Sequence, residues 1–397
     1  MIELIEQEPL LLPRDALSPA VAEALWQTWG HVVTVEYPSP RTGDQWKLTV
    51  GNFAGMLALP EGEQLLIHPR VPVRSLVRLW ERVHGLPIGF LGEVADAQTL
   101  PAVCEGLATL LSREVERRAH EGWRAQSRER RETTPYVRGR LDARALGRSS
   151  TATKPLCAWV ERSEDTPLTR LCHWVLHCLG RASWVSESTR ALVRAADRTL
   201  ASVTLTPVTV QDCDALLSAR TTTAQDRKLI ALCRWVLEGE SFAPEQGTAP
   251  ALGFVVAMER LFERAVTRWL VEHASREWTV QVQPCVPLPP LVESVGDEPF
   301  APFFRPDLVL VERETRRTRC VIDAKYSGEA KPLAREVAQV VAYATALGCR
   351  DALLIYPQTL PAHRRVGAVR MRNVMFPLDA SWDACGDELL SAVRAGN

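Results

Sequence analysis

Lysine is nearly absent from this sequence: only five of the 47 basic residues are lysine, at 47, 154, 228, 325 and 331. Coding-DNA composition contributes to such a bias, but arginine also suits phosphate and carboxylate recognition through its planar fork. No Cys-x-x-Cys pair occurs among the cysteines at 104, 157, 172, 178, 213, 233, 285, 320, 349 and 385. That removes the zinc-ribbon and iron–sulfur readings. No apolar run approaches the roughly 20 residues needed to span a bilayer. Met1–Leu12 is acidic and lacks the basic-then-apolar order of a signal peptide. No Gly-x-x-x-x-Gly-Lys-Ser/Thr loop is found, so P-loop nucleotide hydrolysis is not expected of this chain. Internal repeats and low-complexity segments are missing too. These absences leave a reduced, soluble, cytoplasmic protein without a membrane partner as the expectation.

A chain of 397 residues is too long for one compact core, and its composition divides it into three parts. Residues 1–95 read as a small mixed, β-rich domain. Strands are expected at Gln45–Val50, Phe53–Leu59 and Gln64–His68, and an amphipathic helix at Val73–His84. Residues 96–245 read as mainly helical, with helices expected over Ala102–Ser127, Leu168–Ala182, Glu187–Ala201, Val210–Ser218 and Asp226–Gly239. A charged run follows the first of these at Arg128–Glu132, and Tyr136–Leu141 looks extended. Ser241–Leu252 carries Pro244, Gly247 and Pro250 without periodicity and marks a linker. Beyond it the order changes. A helix is expected at Phe254–His273, strands at Thr279–Val286, Asp307–Glu312 and Arg319–Asp323, a helix at Pro332–Leu347 and a strand at Ala352–Tyr356. Val366–Arg370 and a closing helix at Trp382–Arg394 complete residues 246–397. The pattern predicts an α/β fold (α+β over the whole chain), with a central mixed sheet flanked by helices in the last third.

The chemistry concentrates there. Arg305-Pro306-Asp307 opens one expected strand, and Val321-Ile322-Asp323-Ala324-Lys325 closes the next. Side chains two apart on a strand share a face, so Asp323 and Lys325 lie together, and an adjacent strand can bring Asp307 beside them. Two carboxylates in a partly buried site repel each other unless a cation neutralises them. Mg²⁺ suits such oxygen ligands and commonly bridges one or two carboxylates and a phosphate, with Mn²⁺ a possible substitute. Such a metal activates a water nucleophile and stabilises charge on phosphate, with Lys325 to orient the water or offset that charge. By itself the pattern is also that of a solvated strand end. On the following expected helix, Gln339 and Tyr343 stand four apart on one face.

With these residues in view the sequence resembles the McrC family, nuclease subunits of McrBC-type modification-dependent restriction systems. The carboxyl half resembles that family's PD-(D/E)xK restriction-endonuclease-like domain. Asp307 matches the first acid, Asp323 and Lys325 the Asp-x-Lys, and Gln339 with Tyr343 the Gln-x-x-x-Tyr helix. Leu261-Phe262-Glu263 matches the leading helix, which implies Glu263 as a further metal ligand or holder of metal-bound water. Ala257 stands where an aspartate is common. Upstream, Asn52–Leu59, Leu65–Arg70, Val137–Asp142 and Asp165–Arg170 resemble further family segments, including an Arg-Gly-Arg-x-Asp signature.

The resemblance implies double-stranded DNA as substrate and a separate AAA+ GTPase hexamer of the McrB type as partner. It also leaves room for pairing of two nuclease domains. The amino-terminal half would dock on that ring and stimulate its hydrolysis, with Arg138 and Arg140 as candidate partner-binding residues. Arg113–Arg148 carries eleven arginines against six acids, which suits DNA phosphates, an acidic partner surface or a solvated helix laced with ion pairs. His173 and His177 have metal-ligand spacing, but Cys172 and Cys178 cannot share their face well, and a core role is the better reading. Two other classes stay open: a non-catalytic activator of an AAA+ partner, and a stand-alone repair nuclease.

Overall fold

The computed structural model describes the chain except residues 87–88, 142–155, 242–252, 275–277, 288–302, 328–331, 361–363, 379–381 and 395–397. All of the expected linker Ser241–Leu252 but Ser241, and Asp142 of the arginine signature, therefore lie outside the described residues. The chain falls into two compact units: Met1–Val103 with Phe242–Asn397, and Cys104–Ser241. The segments 1–95 and 246–397, set apart by composition, thus share one unit.

In the first unit, Ile2–Ile5 runs parallel to Gln64–His68, which pairs antiparallel with Phe53–Ala58. Gly253–Ala257 then pairs antiparallel with Phe53–Ala58, register Val255↔Gly55. The two strands approach closely: a Cβ at Gly55 would stand 2.0 Å from Phe254 O. A three-stranded sheet, ordered Pro9–Leu12, Trp46–Val50 and Val33–Glu36, lies alongside. Leu25, Trp29, Leu48, Leu57, Leu65, Ile67 and Val255 close one core beneath these strands and the Pro19–Gln27 helix. Ser18 caps that helix by accepting from Val21 N at 3.3 Å, with Pro19 at its first turn.

The rest of this unit is a six-stranded mixed sheet. Its order is Trp278–Val282, Leu308–Glu312, Thr318–Ala324, Asp351–Tyr356, Val369–Met375 and Arg364–Val366. The first three strands are antiparallel, and Thr318–Ala324 then runs parallel to Asp351–Tyr356. Leu308, Val309, Leu310, Val321, Ile322 and all of Ala352–Ile355 are fully buried, as central strands covered on both faces should be. The Ala334–Ala346 helix lays Val340, Tyr343 and Ala344 against Val321, Leu354 and Met371. Asp351, at the start of its strand, accepts from Arg370 at 2.9 Å and Arg372 at 3.2 Å, which pins the lower end of the sheet.

The expected helix at Phe254–His273 begins later. Phe254–Ala257 is the strand just described, and the helix runs Met258–His273. Apolar residues in Phe254–Val256 fit either period, and pairing with Phe53–Ala58 decides for the strand.

The second unit contains the Leu100–Glu121 helix beyond Val103 and helices Pro167–Leu179, Glu187–Thr199, Val210–Ser218 and Ala224–Gly239. Thr166 accepts from Thr169 N at 3.3 Å while Thr169 Oγ1 accepts from Thr166 N at 2.9 Å, a reciprocal cap for the first of the four. The charged run is not helical. Gln126–Thr133 is a strand paired antiparallel with Leu156–Ser163, which also pairs with Arg140–Leu141. Arg130 and Glu161 meet at 2.5 Å across this ladder.

Candidate active site

The Leu308↔Ile322 register sets Asp307 opposite Asp323 where the two strands end. Asp307 extends its ladder on one side, its carbonyl accepting from Gln283 N at 2.8 Å. On the other side, Asp307 Oδ2 accepts from Ala324 N at 2.9 Å, so its carboxylate leans over the Asp323 strand. Asp323 is buried, and its Oδ2 lies 2.7 Å from Lys325 Nζ on the same strand face. Lys325 N in turn donates to Ile355 O at 2.8 Å, which holds the strand end on the parallel neighbour.

Burial pushes the Asp307 carboxyl up to about 7, and the Asp323 and Glu263 carboxylates add to the rise. Burial also holds Asp323 above the usual carboxylate range against the pull of Lys325, with Glu336 and Glu259 contributing. For Lys325 burial works the other way. The carboxylates of Asp323, Asp307 and Glu259 prevail, and its ammonium stays above its ordinary value. The site is therefore crowded with negative charge that one lysine offsets only in part.

The Met258–His273 helix supplies two of these acids. Glu263 is half-buried and accepts from Gln283 Nε2 at 2.8 Å, and Glu259 stands one turn earlier. Gln339 Nε2 donates to Tyr343 OH at 2.7 Å, so the two expected helix residues bind each other, and Tyr343 packs edge-on to Phe304 at 5.1 Å. Glu336, one turn before Gln339, is buried and accepts from Tyr356 OH at 2.9 Å and Leu333 N at 2.9 Å. Sequence reasoning passed over Glu259 and Glu336. Their signals were there: each stands three or four residues before a residue already singled out on the same helix.

The donor chemistry suits a hard divalent cation, since the converging groups are carboxylates. Among the described residues, however, no three His, Cys, Asp or Glu side chains are gathered closely enough to hold a metal ion together. A cation here would rest on one or two aspartates and complete its shell with water and substrate oxygens.

Arg138 and Arg140 belong to the other unit. The extended run expected at Tyr136–Leu141 is a turn followed by the two-residue strand Arg140–Leu141. Gly139 has φ +67°, and a Cβ there would meet Ala158 O at 2.5 Å. Strand alternation therefore does not place the two arginines on one face. Both are exposed, and the Arg138 guanidinium stacks over Trp159 at 4.8 Å. Cys172, Cys178 and His173 are buried, the last with Asp197 3.6 Å away. They are core, as the spacing argument favoured.

The last third of the chain is thus a mixed sheet flanked by helices, with Asp307 and Asp323-x-Lys325 at adjoining strand ends. The chain belongs to the family described as "McrBC 5-methylcytosine restriction system component", whose model matches residues 48–357. No curated protein matches it. Its fold is shared with a chain of a solved Thermococcus gammatolerans half-complex of McrB AAA+ hexamers with bound McrC, from a tetradecameric assembly. That likeness has a TM-score of 0.62 at 16% identity and covers 100% of this chain and 98% of the other. A chain of the cryo-EM structure of the Thermococcus gammatolerans McrBC complex overlaps 68% of this chain and 87% of its own, at 18% identity and a TM-score of 0.47. Among the described residues no helix is long and apolar enough to cross a membrane.

Proposed function

We propose that this chain is the Mg²⁺-dependent DNA endonuclease subunit of a two-component restriction system, activated by, and stimulating, a McrB-like AAA+ GTPase hexamer. The observation that carries the reading is the meeting of Asp307 and Asp323 at adjoining strand ends, with Lys325 Nζ 2.7 Å from Asp323. Paired acids beside an ammonium suit phosphodiester hydrolysis, and both carboxyls are raised chiefly by burial and further by neighbouring acids, a cost that a bound cation would relieve. Asp307 and Asp323 would hold Mg²⁺ or Mn²⁺, with Glu263 a candidate holder of metal-bound water; the ion would lower the pKa of an attacking water and stabilise charge on the phosphate. Lys325 orients that water or neutralises the developing charge. Gln339, half-buried and bonded to the hydroxyl of the buried Tyr343, would offer the DNA backbone a polar group that Tyr343 holds in place. Double-stranded DNA is the substrate, and pairing of two nuclease domains would let both strands be cut.

One observation favours a second reading, a non-catalytic activator of the AAA+ partner: no three-ligand cluster is gathered among the described residues. The deciding experiment is cleavage of double-stranded DNA with Mg²⁺, with and without the partner ring and its nucleotide, comparing wild type with Asp323→Ala. Cleavage that needs the partner and falls at least about 10³-fold in the variant supports the proposal. Cleavage by wild type alone favours a stand-alone nuclease. Absence of cutting with intact stimulation of the partner's hydrolysis makes the chain an activator.

Arg138 and Arg140 are proposed to contact that partner. Replacing both by alanine should weaken stimulation of its hydrolysis while far-ultraviolet circular dichroism stays as in wild type. Unchanged stimulation would remove the assignment.

A further inference from the structure

We propose that Asn52, in the turn between Trp46–Val50 and Phe53–Ala58, is a positioning residue that joins the two halves of the candidate active site. The inference rests on the nuclease reading for its meaning and on geometry for its content.

Asn52 makes three bonds to three different elements. Its Nδ2 donates to Tyr326 O at 3.0 Å, on the residue directly after Lys325. Its main-chain carbonyl accepts from Met258 N at 2.9 Å, the first residue of the helix that carries Glu259 and Glu263. That N–H is one of the groups a helix start leaves without an internal partner. Its Oδ1 accepts from Gln7 Nε2, which orients the amide. Gln7 is itself fixed, with φ +61°, its N donating to Val50 O at 3.1 Å and its Oε1 accepting from Arg70 Nη1 at 2.9 Å.

The consequence for Lys325 is specific. Its own N–H is anchored on Ile355 O, but beyond it the chain leaves the sheet. The Asn52 amide captures the next carbonyl, so Lys325 is held from both sides. The Tyr326 side chain strengthens the same junction: its hydroxyl donates to the buried Glu6 Oε2 at 3.0 Å, and its ring lies 6.1 Å from that of Phe262 on the Met258–His273 helix. Asn52 thus sets the Asp323-x-Lys325 strand end and the Glu263 helix relative to each other, without touching substrate. Misplacement of such groups by about 1 Å costs on the order of a hundredfold in rate.

Two variants test this. Asn52→Ala removes both side-chain bonds. Asn52→Asp keeps the acceptor for Gln7 and the carbonyl for Met258 but loses the donor to Tyr326 O, so it serves if the alanine variant does not fold. Each is assayed for Mg²⁺-dependent cleavage with the partner ring. With five lysines in the chain, ¹³Cε-lysine NMR reads Lys325 directly, Lys325→Arg assigning its line and Lys228 of the other unit serving as control. The expected result is a kcat lower by about ten- to a hundredfold and a KM for DNA within about threefold. The Lys325 line should move and the Lys228 line stay in place. A purely structural role would lower the folded fraction without moving the Lys325 line of the molecules that remain folded. Wild-type kcat with an unmoved Lys325 line overturns the proposal. If wild type cuts no DNA, the nuclease reading fails by itself; a displaced Lys325 line then still supports the positioning role, and an unmoved one defeats it.

Discussion

Burial controls how single charges behave in this molecule. Glu6 is fully buried, and desolvation pushes its carboxyl up to about 7 although the Arg70 amide, the Tyr326 hydroxyl and the Arg70 charge pull it down. Its folded pKa lies above the unfolded value of 4.5, so its stabilising contribution is complete below that value and is lost as pH rises through about 7. Wild type should therefore lose on the order of 2 kcal/mol more than Glu6→Gln between pH 5 and pH 8, read from denaturant midpoints. Equal pH slopes would show that Glu6 ionises freely. Asp307 is also pushed up to about 7, chiefly by burial, so if it holds the proposed cation a proton would compete for that place as pH falls. The Mg²⁺ concentration needed for half-maximal cleavage should rise as pH falls below 7, and a flat requirement would take Asp307 out of the metal site. Asp307, Asp323 and Lys325 were legible in the sequence because a period of two and apolar flanks fix which side chains meet. Glu259 and Glu336 left only a weak signal, their helical spacing from Glu263 and Gln339, since an acid in a first helical turn reads equally as a solvated cap, and Asn52 reads equally as an ordinary turn asparagine.

At the level of elements, periodicity identified what packs against a well-formed core. Gln64–His68, Val73–His84 and Val210–Ser218 fall where expected, and most other boundaries differ by a few residues. It failed where a segment's partner is remote. Gln126–Thr133 carries charges on both faces and resembles the tail of a solvated helix. Its strand character comes from Leu156–Ser163, some way along the chain. Ile2–Ile5 and Val33–Glu36 are too short to show a period at all. The strand Gly253–Ala257 is defined by Phe53–Ala58, and the glycine at its contact is the weak point. Gly55→Ala should cost more than about 2 kcal/mol in denaturant unfolding, since the added carbon would overlap Phe254 O and both backbones are held by sheet pairing. A cost below about 0.5 kcal/mol would mean that the pairing yields easily.

At the scale of the whole molecule, the division into two units runs against the order of the chain. The segment 1–103 and the segment from Phe242 on share a unit, so the candidate active site draws on both ends of the sequence. A fragment holding residues 246–397 alone should not form a stable domain. It lacks the Phe53–Ala58 strand, the Asn52 carbonyl that receives Met258 N, and the Glu6 carboxylate that receives the Tyr326 hydroxyl. Cooperative unfolding of that fragment with a native-like near-ultraviolet spectrum would contradict this. The same pairing has a consequence for biosynthesis. Phe53–Ala58 leaves the ribosome about 200 residues before Gly253–Ala257, which at about 5–20 residues per second is a wait of roughly 10–40 s. For that interval the nascent chain carries an open β-edge, so a chaperone or a swapped neighbouring copy competes for the place that its own later strand must take.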